Sequence, residues 1–318
     1  MNTGRDDAGR GTRGASLNDE AERRTPRAVA RPGVGIVGAG AVGTALGVAI
    51  SRAGWPVVAV ASRDAGQRDR FCVLVPGARA FIEPAAIADV ADLIIVAVPD
   101  DAIADVAGQI RLRSGQAIVH TSGAVGAGVL AEAAIEGGDV GAFHPLVSFT
   151  SDVERSVAGI AGTTIAVEGD DRLVELLADL AEAIGGTTVR LLPGTKAAYH
   201  AAAVLASGGL IALLDAIVAL GAVAGMDERD SLAVYGRLME QTLANARGVG
   251  VAASLTGPIT RGDVGTVAAH IATLEVNAPD VVELYLAMAR RQLRIAQDRG
   301  ALSPNQVARV RRVLAKDR

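Results

Sequence analysis

The sequence contains a single cysteine, Cys72, so it can form neither an internal disulfide framework nor a cysteine-built zinc site, and the lone thiol suits a reducing compartment. Aromatic residues make up 3% of the chain, which leaves Ala, Val, Leu and Ile to build the core. Lysine is scarce: of 31 basic residues, only Lys196 and Lys316 are lysines. A net charge of −4 gives no reason to expect nucleic acid or a membrane surface as partner. Long apolar runs are missing too, since Gly, Pro or a charge interrupts each before the ~18 residues of a membrane span. The nearest approach, AAAVLASGGLIALLDAIVALGAVAGM at 201–226, holds Asp215 and a glycine pair and reads as a buried helix of a soluble bundle.

Residues 1–31 differ in composition from the rest, rich in Arg, Asp, Gly, Thr and Ala without apolar periodicity, and are expected to be disordered. Asp6, Asp7, Asp19, Glu20 and Glu22 argue against a transit peptide, and no apolar stretch could serve as a secretory signal. A cytoplasmic protein is the expectation. With 318 residues the chain has room for about two domains.

The strongest positive signal is VGIVGAGAVG at 34–43, an apolar β-branched run that breaks into Gly38, Ala39, Gly40, Ala41, Val42 and Gly43 before a helix-like stretch. This is the dinucleotide-binding spacing in its proper setting, with a second strand, WPVVAVAS at 55–62, at the βαβ interval. Gly38 allows the tight turn, Gly40 lets backbone approach a pyrophosphate, and Gly43 lets the helix pack on the sheet. The anion would sit at the helix N-terminus.

Strand-like and helix-like segments keep alternating after that unit. ADLIIVAVPD (91–100), QAIVHTSG (116–123), GAFHPLVSF (141–149), TTIAVEG (163–169) and TTVRLL (187–192) read as strands, while FCVLV (71–75) fits either class. Helices are expected near 101–110, 124–136 and 171–184. From Pro193 onward only helical patterns remain, over 194–225, 228–247, 263–276, 278–299 and 303–315. The pattern predicts an α/β domain over 32–193, a doubly wound parallel sheet, followed by an all-helical domain over 194–318.

Ligands of such sheets bind at the carboxyl ends of the strands. The second strand ends in Ser62, Arg63 and Asp64. A hydroxyl beside a basic residue suits the 2′-phosphate of NADP, whereas Asp64 would suit the ribose hydroxyl of NAD. Val98, Pro99 and Asp100 end the fourth strand, either beside a ribose or as a turn in which Asp100 or Asp101 caps the next helix.

Lys196 and His200 lie four residues apart on a helix and share a face, with Tyr199 and Ser207 near it. In a chain that otherwise chooses Arg, a retained lysine is either a surface residue of a helix start with His200 partly buried beside it, or a compact, tunable ammonium that donates a proton to a carbonyl or imine or polarises it, with His200 sharing the proton or positioning the substrate. Ser122, after His120 and Thr121, would contact substrate or cap a helix. His144, held extended by Pro145, would aim into the cleft or make a structural bond. His120 and Thr256 are further candidate substrate contacts. Arg261, in the polar loop LTGPITRGD, would clamp an anionic substrate group or stay solvated. Asp263 is a natural N-cap, and His270 reads as structural.

Taken together, GAGAVG, VAVPDDAI, HTSGA, FHPLVSF, GTKAAYHAAAVLAS and LTGPITRGD resemble the Rossmann-like proteins carrying domain of unknown function 2520, over about residues 33–290. More distantly the layout is similar to β-hydroxyacid dehydrogenases, 6-phosphogluconate dehydrogenase and pyrroline-5-carboxylate reductase. The resemblance implies an NADP-dependent or deazaflavin-type oxidoreductase, a family signature domain starting near residue 160, and a homodimer with a shared cleft. Lys196 matches the catalytic lysine of the hydroxyacid dehydrogenases, while His200 stands where they have Asn. Gly208 stands where the family commonly has Asn.

The expectation is an NADP-dependent oxidoreductase acting on a small carbonyl, hydroxyl or imine compound, without a metal. The alternatives are NAD as cofactor, a deazaflavin-linked NADP oxidoreductase, or an NADP-binding sensor or scaffold without turnover.

Overall fold

The computed structural model describes residues 31–315 except Pro193. The tail expected over 1–31 therefore lies outside the described residues apart from Arg31. That residue is anchored: its guanidinium donates to the Ala53 carbonyl at 2.9 Å and stands over the buried Trp55 ring.

The chain forms two units, the first reaching His200 and the second beginning at Ala201. The first runs β1 (Val34–Val37), α1 (Ala41–Arg52), β2 (Val57–Ala61), α2 (Ala65–Leu74), β3 (Arg79–Phe81), β4 (Leu93–Val96), α3 (Ile103–Ala107), β5 (Ala117–His120), a 3-10 helix (Ala127–Ala134), β6 (Asp139–Pro145), α4 (Val153–Ile160), β7 (Thr164–Glu168), α5 (Asp171–Ala183) and β8 (Thr187–Arg190). The eight strands make one sheet in the order 3-2-1-4-5-6-7-8. Every neighbouring pair is parallel except β6 with β7, so the expected parallel sheet carries one antiparallel step.

Strands β1, β4 and β5 are buried throughout because apolar side chains cover both faces of the sheet. Ile36, Val60, Val119 and Phe143 belong to one core layer, and Val37, Val96, Ile118 and Leu130 to the other. The ambiguous FCVLV segment supplies the end of α2, where Phe71 is buried against α1. A Cβ at Gly47 would meet that ring at 2.4 Å, so the two helices approach closely only because residue 47 is glycine. Strand β3 is short and largely exposed, which is why no apolar pattern announces it. The segment expected as a helix over 124–136 is a 3-10 helix.

In the second unit the helix expected over 194–225 is two: α6 (Lys196–Ala206), which starts in the first unit, and α7 (Gly208–Val223), interrupted at Ser207 with φ −113° and ψ −82°. There follow α8 (Glu228–Val249), α9 (Val251–Ser254), α10 (Pro258–Arg261), α11 (Val264–Asn277), α12 (Val282–Asp298) and α13 (Pro304–Leu314). The last three enclose a core containing Val267, Ile271, Leu286, Leu293 and Val310.

The reading of 201–226 as a buried helix is not what the structure has. Only Ala216 and Gly221 of α7 are buried, while Leu205, Leu210 and Ile211 are exposed. The stretch Lys196–Val223 has the length and apolarity of a membrane-crossing helix, with a mean hydropathy of 2.2 over its most apolar 18 residues, 6% of which are buried. Hydropathy records that a surface prefers cover; it does not say what covers it.

Candidate active site

The turn between β1 and α1 has the shape that its glycines predict. Gly38 has φ +101°, and a Cβ there would lie 2.2 Å from the Ala97 carbonyl oxygen. A Cβ at Gly43 would lie 1.9 Å from the Gly38 carbonyl oxygen, so α1 rests directly on the turn. At Gly40 the Cβ position has no heavy atom within 4 Å. No side chain caps α1, so its first-turn N–H groups keep their capacity for an anion. These features fit a dinucleotide pyrophosphate.

A cavity of about 920 Å³ opens at this turn, lined by Gly38, Ala39, Gly40, Ser62, Arg63, Val98 and Pro99 among others. Of the expected cofactor residues, Ala41, Val42 and Gly43 form the start of α1 rather than the lining, and Asp101 lines the cavity where Asp100 does not. Asp64 lines it too, but its carboxylate accepts the Gln67 N–H at 2.8 Å as the N-cap of α2. Arg63 is exposed beside it.

A polar cluster gathers in the same unit. His120 pairs in register with Ala142, and Ala142 with Glu168, so one rung crosses β5, β6 and β7. Paired residues point to the same side of a sheet, which sends His120 and Glu168 out on one face, with His144, two residues beyond Ala142, on it as well. At the first turn of α6, Lys196 is buried and its Nζ lies 3.6 Å from Glu168 Oε2, an ion pair longer than a hydrogen bond. Tyr199, one turn on, shares a 3.0 Å hydrogen bond between its hydroxyl and His144 Nδ1. The His144 and His200 rings stand edge to face with centroids 6.1 Å apart.

Gly123 explains how they come so close. A Cβ there would be 2.4 Å from His200 Nδ1 and 2.7 Å from His144 Nε2, so both ring nitrogens occupy space that any other residue would fill. Lys196 Nζ, His120 Nε2 and His200 Nδ1 are buried without a hydrogen-bond partner. Unpaired buried polar atoms are costly, and three in one cluster mark a place built for something that binds.

Burial, seconded by the Lys196 charge, holds His120 down to about 4. His144 is also held to about 4, by burial first and then by His200 and Lys196. Both imidazoles are therefore neutral at pH 7. Lys196 is lowered from the ordinary lysine value by burial, against the raising effect of Glu168 and Asp100. Burial raises the Tyr199 phenol.

Lys196, His200, His144 and His120 thus come together in one cluster. Ser122 closes a local turn, its Oγ accepting from the Ala124 and Val125 N–H groups at 3.1 and 3.0 Å, while the 3-10 helix that follows has Gly126 as its N-cap. Asp100 acts electrostatically on His120, His144 and Lys196 rather than lining the cofactor cavity. Thr256 and Arg261 are exposed residues of the second unit, and Asp263 caps α11 as expected, accepting from Thr266 N–H at 3.0 Å. His270 is exposed and bonded to the Tyr285 hydroxyl at 3.0 Å, a structural contact. Ser207 bonds back to the Ala203 carbonyl and stays outside the cluster. The residue that sequence reasoning missed is Glu168, since a glutamate closing TTIAVEG looks like any solvated strand end.

The family described as a Rossmann-like domain matches residues 18–145, and domain of unknown function 2520 matches residues 163–292. No curated protein sequence matches the chain. Among solved structures, a candidate NADP oxidoreductase of Bacteroides fragilis superposes with a TM-score of 0.68 at 21% identity, covering 83% of this chain and 98% of that one. A 1-pyrroline-5-carboxylate reductase of Streptococcus pyogenes gives 0.60 at 14% identity, with 84% and 99% covered. An imine reductase of a Pseudomonas species gives 0.59 at 20% identity, with 88% and 99% covered. At these identities the likeness is one of fold.

Proposed function

We propose that this chain, a Rossmann-like protein carrying domain of unknown function 2520, is an NADP-dependent oxidoreductase acting on a small carbonyl, hydroxyl or imine compound. The observation that carries the reading is the buried Lys196 ammonium, ion-paired with Glu168 but without a hydrogen-bond partner, in a cluster with the neutral His120 and His144, in the unit that holds the dinucleotide cradle. Bound NADPH would supply the hydride. Lys196 would give a proton to the oxygen or nitrogen of the substrate, or polarise it, and His200 would share that proton or orient the substrate. His144, neutral and held by Tyr199, would add a hydrogen bond to the same group. The structural relatives named for imine and pyrroline chemistry make cyclic imines the first compounds to screen, with small oxo acids beside them.

NADP is favoured over NAD because the Asp64 carboxylate is engaged in capping α2, which leaves Ser62 and the exposed Arg63 for a 2′-phosphate. Titration of the native protein and of Arg63→Ala with NADPH, NADH and a reduced deazaflavin tests this. The native protein is expected to prefer NADPH, and Arg63→Ala to lose about 10- to 100-fold in NADPH affinity with little change for NADH, as loss of a charged hydrogen bond implies. Binding of none of the three would sink the oxidoreductase reading, and deazaflavin-dependent turnover would move it to that coenzyme.

We further propose that a second copy of the chain covers α7. Helix α8, which packs against α7, exposes Leu238 and Leu243 as well, but also carries Arg229, Arg237, Glu240 and Arg247 and is thus ill suited to lipid. Sedimentation in detergent-free buffer is expected to give a homodimer, and Ile211→Asp a monomer. A native monomer under those conditions would refute the proposal.

A further inference from the structure

Glu168 is the only carboxylate in the polar cluster whose side chain reaches two elements at once. Its Oε2 accepts the Ala127 N–H at 3.0 Å, at the start of the 3-10 helix that follows the Ser122 turn, and the same oxygen lies 3.6 Å from Lys196 Nζ. The side chain is 19% exposed and the lysine's is 6%, so bulk water screens the pair poorly. We propose that Glu168 is a positioning residue for Lys196: one carboxylate oxygen fixes the ammonium against the turn after β5 and keeps it charged in a buried setting. This builds on the reading of Lys196 as proton donor.

The charge of the amine is set by what surrounds it. Facing it are Glu168 from β7, Asp100 from the segment after β4, and His120 from β5, with His144 from β6 and His200 from its own helix close by. His120 and His144 are neutral at pH 7 and offer no counter-charge. Asp100 is exposed to solvent, whereas Glu168 is largely enclosed with the lysine. Taking an ammonium out of water favours its neutral form unless a carboxylate is held close, and Glu168 is the carboxylate so held. The Ala127 N–H matters equally. A glutamate tied to backbone cannot swing out to water, so the distance to Lys196 is set by the sheet and the turn together.

The test needs neither cofactor nor substrate, so it stands or falls separately from the proposed activity. Because the sequence holds just two lysines, isotope-labelled lysine gives two side-chain NMR signals, and Lys316→Arg identifies which is Lys196. In the native protein the Lys196 signal is expected to titrate below the ordinary lysine value. In Glu168→Gln, which keeps the shape and loses the charge, the midpoint is expected to fall further, by about one pH unit or more. In Glu168→Asp, which keeps the charge one methylene further away, it should lie between the two. A purely structural Glu168 would leave the midpoint unmoved in whichever variant folds, and an unchanged midpoint in either would overturn the proposal.

Discussion

Lys196→Ala is expected to lower turnover by about 10²- to 10⁴-fold while leaving NADPH affinity near native, the range associated with loss of a positioned general acid. The separation follows from position. Lys196 sits at the start of α6 beside Glu168 and the histidines, whereas the cavity holding the glycine turn is lined by the ends of β1 and β2, residues of α2 and α3, and the segments after β3 and β4. Lys196→Arg should fail to restore activity, since a planar, always-charged guanidinium cannot release a proton in the working range. The pH profile gives a sharper reading. In the reductive direction the protonated lysine is the active form, so the rate falls as pH rises through its value, and burial moves that limb below the ordinary lysine range. NADPH consumption with the best imine or oxo acid, followed against pH for native protein, Lys196→Ala and His200→Asn, assigns the proton. Persistence of the alkaline limb in Lys196→Ala with its loss in His200→Asn would transfer the role to the histidine.

Gly43→Ala is expected to reduce NADPH affinity by at least about 100-fold, equivalent to roughly 3 kcal/mol, and to lower Tm by several degrees. The new Cβ would stand 1.9 Å from the Gly38 carbonyl oxygen, a backbone atom with no side-chain freedom to give way. Helix α1 would have to lift from the turn, taking its first-turn N–H groups with it. Gly40→Ala provides the contrast. Its Cβ meets nothing within 4 Å, so folding should be nearly unchanged while close approach of a pyrophosphate is blocked. Calorimetric titration and thermal unfolding of the two variants separate these effects, and native affinity in Gly43→Ala would mean that the turn is not a nucleotide cradle.

Much of this was legible because local chemistry dictates it. Gly38 and Gly43 announce a turn that only glycine can make, and β1 and β4 announce themselves by unbroken apolar runs. Lys196 and His200 share a helical face at a spacing visible in one dimension. Glu168 was illegible because its place depends on register: only the antiparallel pairing of β7 with β6 sets it level with His120. Strand β3 escaped notice since three mostly exposed residues carry no periodicity. The turn that Ser122 closes on the Ala124 and Val125 N–H groups and the exposure of α7 depend on three-dimensional packing that no one-dimensional pattern carries.

The rung from His120 through Ala142 to Glu168 also governs which changes of length the chain can tolerate. Residues 146–163 connect β6 to β7 outside the paired residues; α4 within them packs on α1 and buries Ile160, so insertions that spare α4 and fall in the exposed turns flanking it leave the ladder in step. A single residue deleted between Thr164 and Glu168 would turn every later side chain of β7 to the opposite face and carry the carboxylate away from the lysine. Relatives that keep this arrangement should therefore vary in the length of those turns and hardly at all in the length of β7.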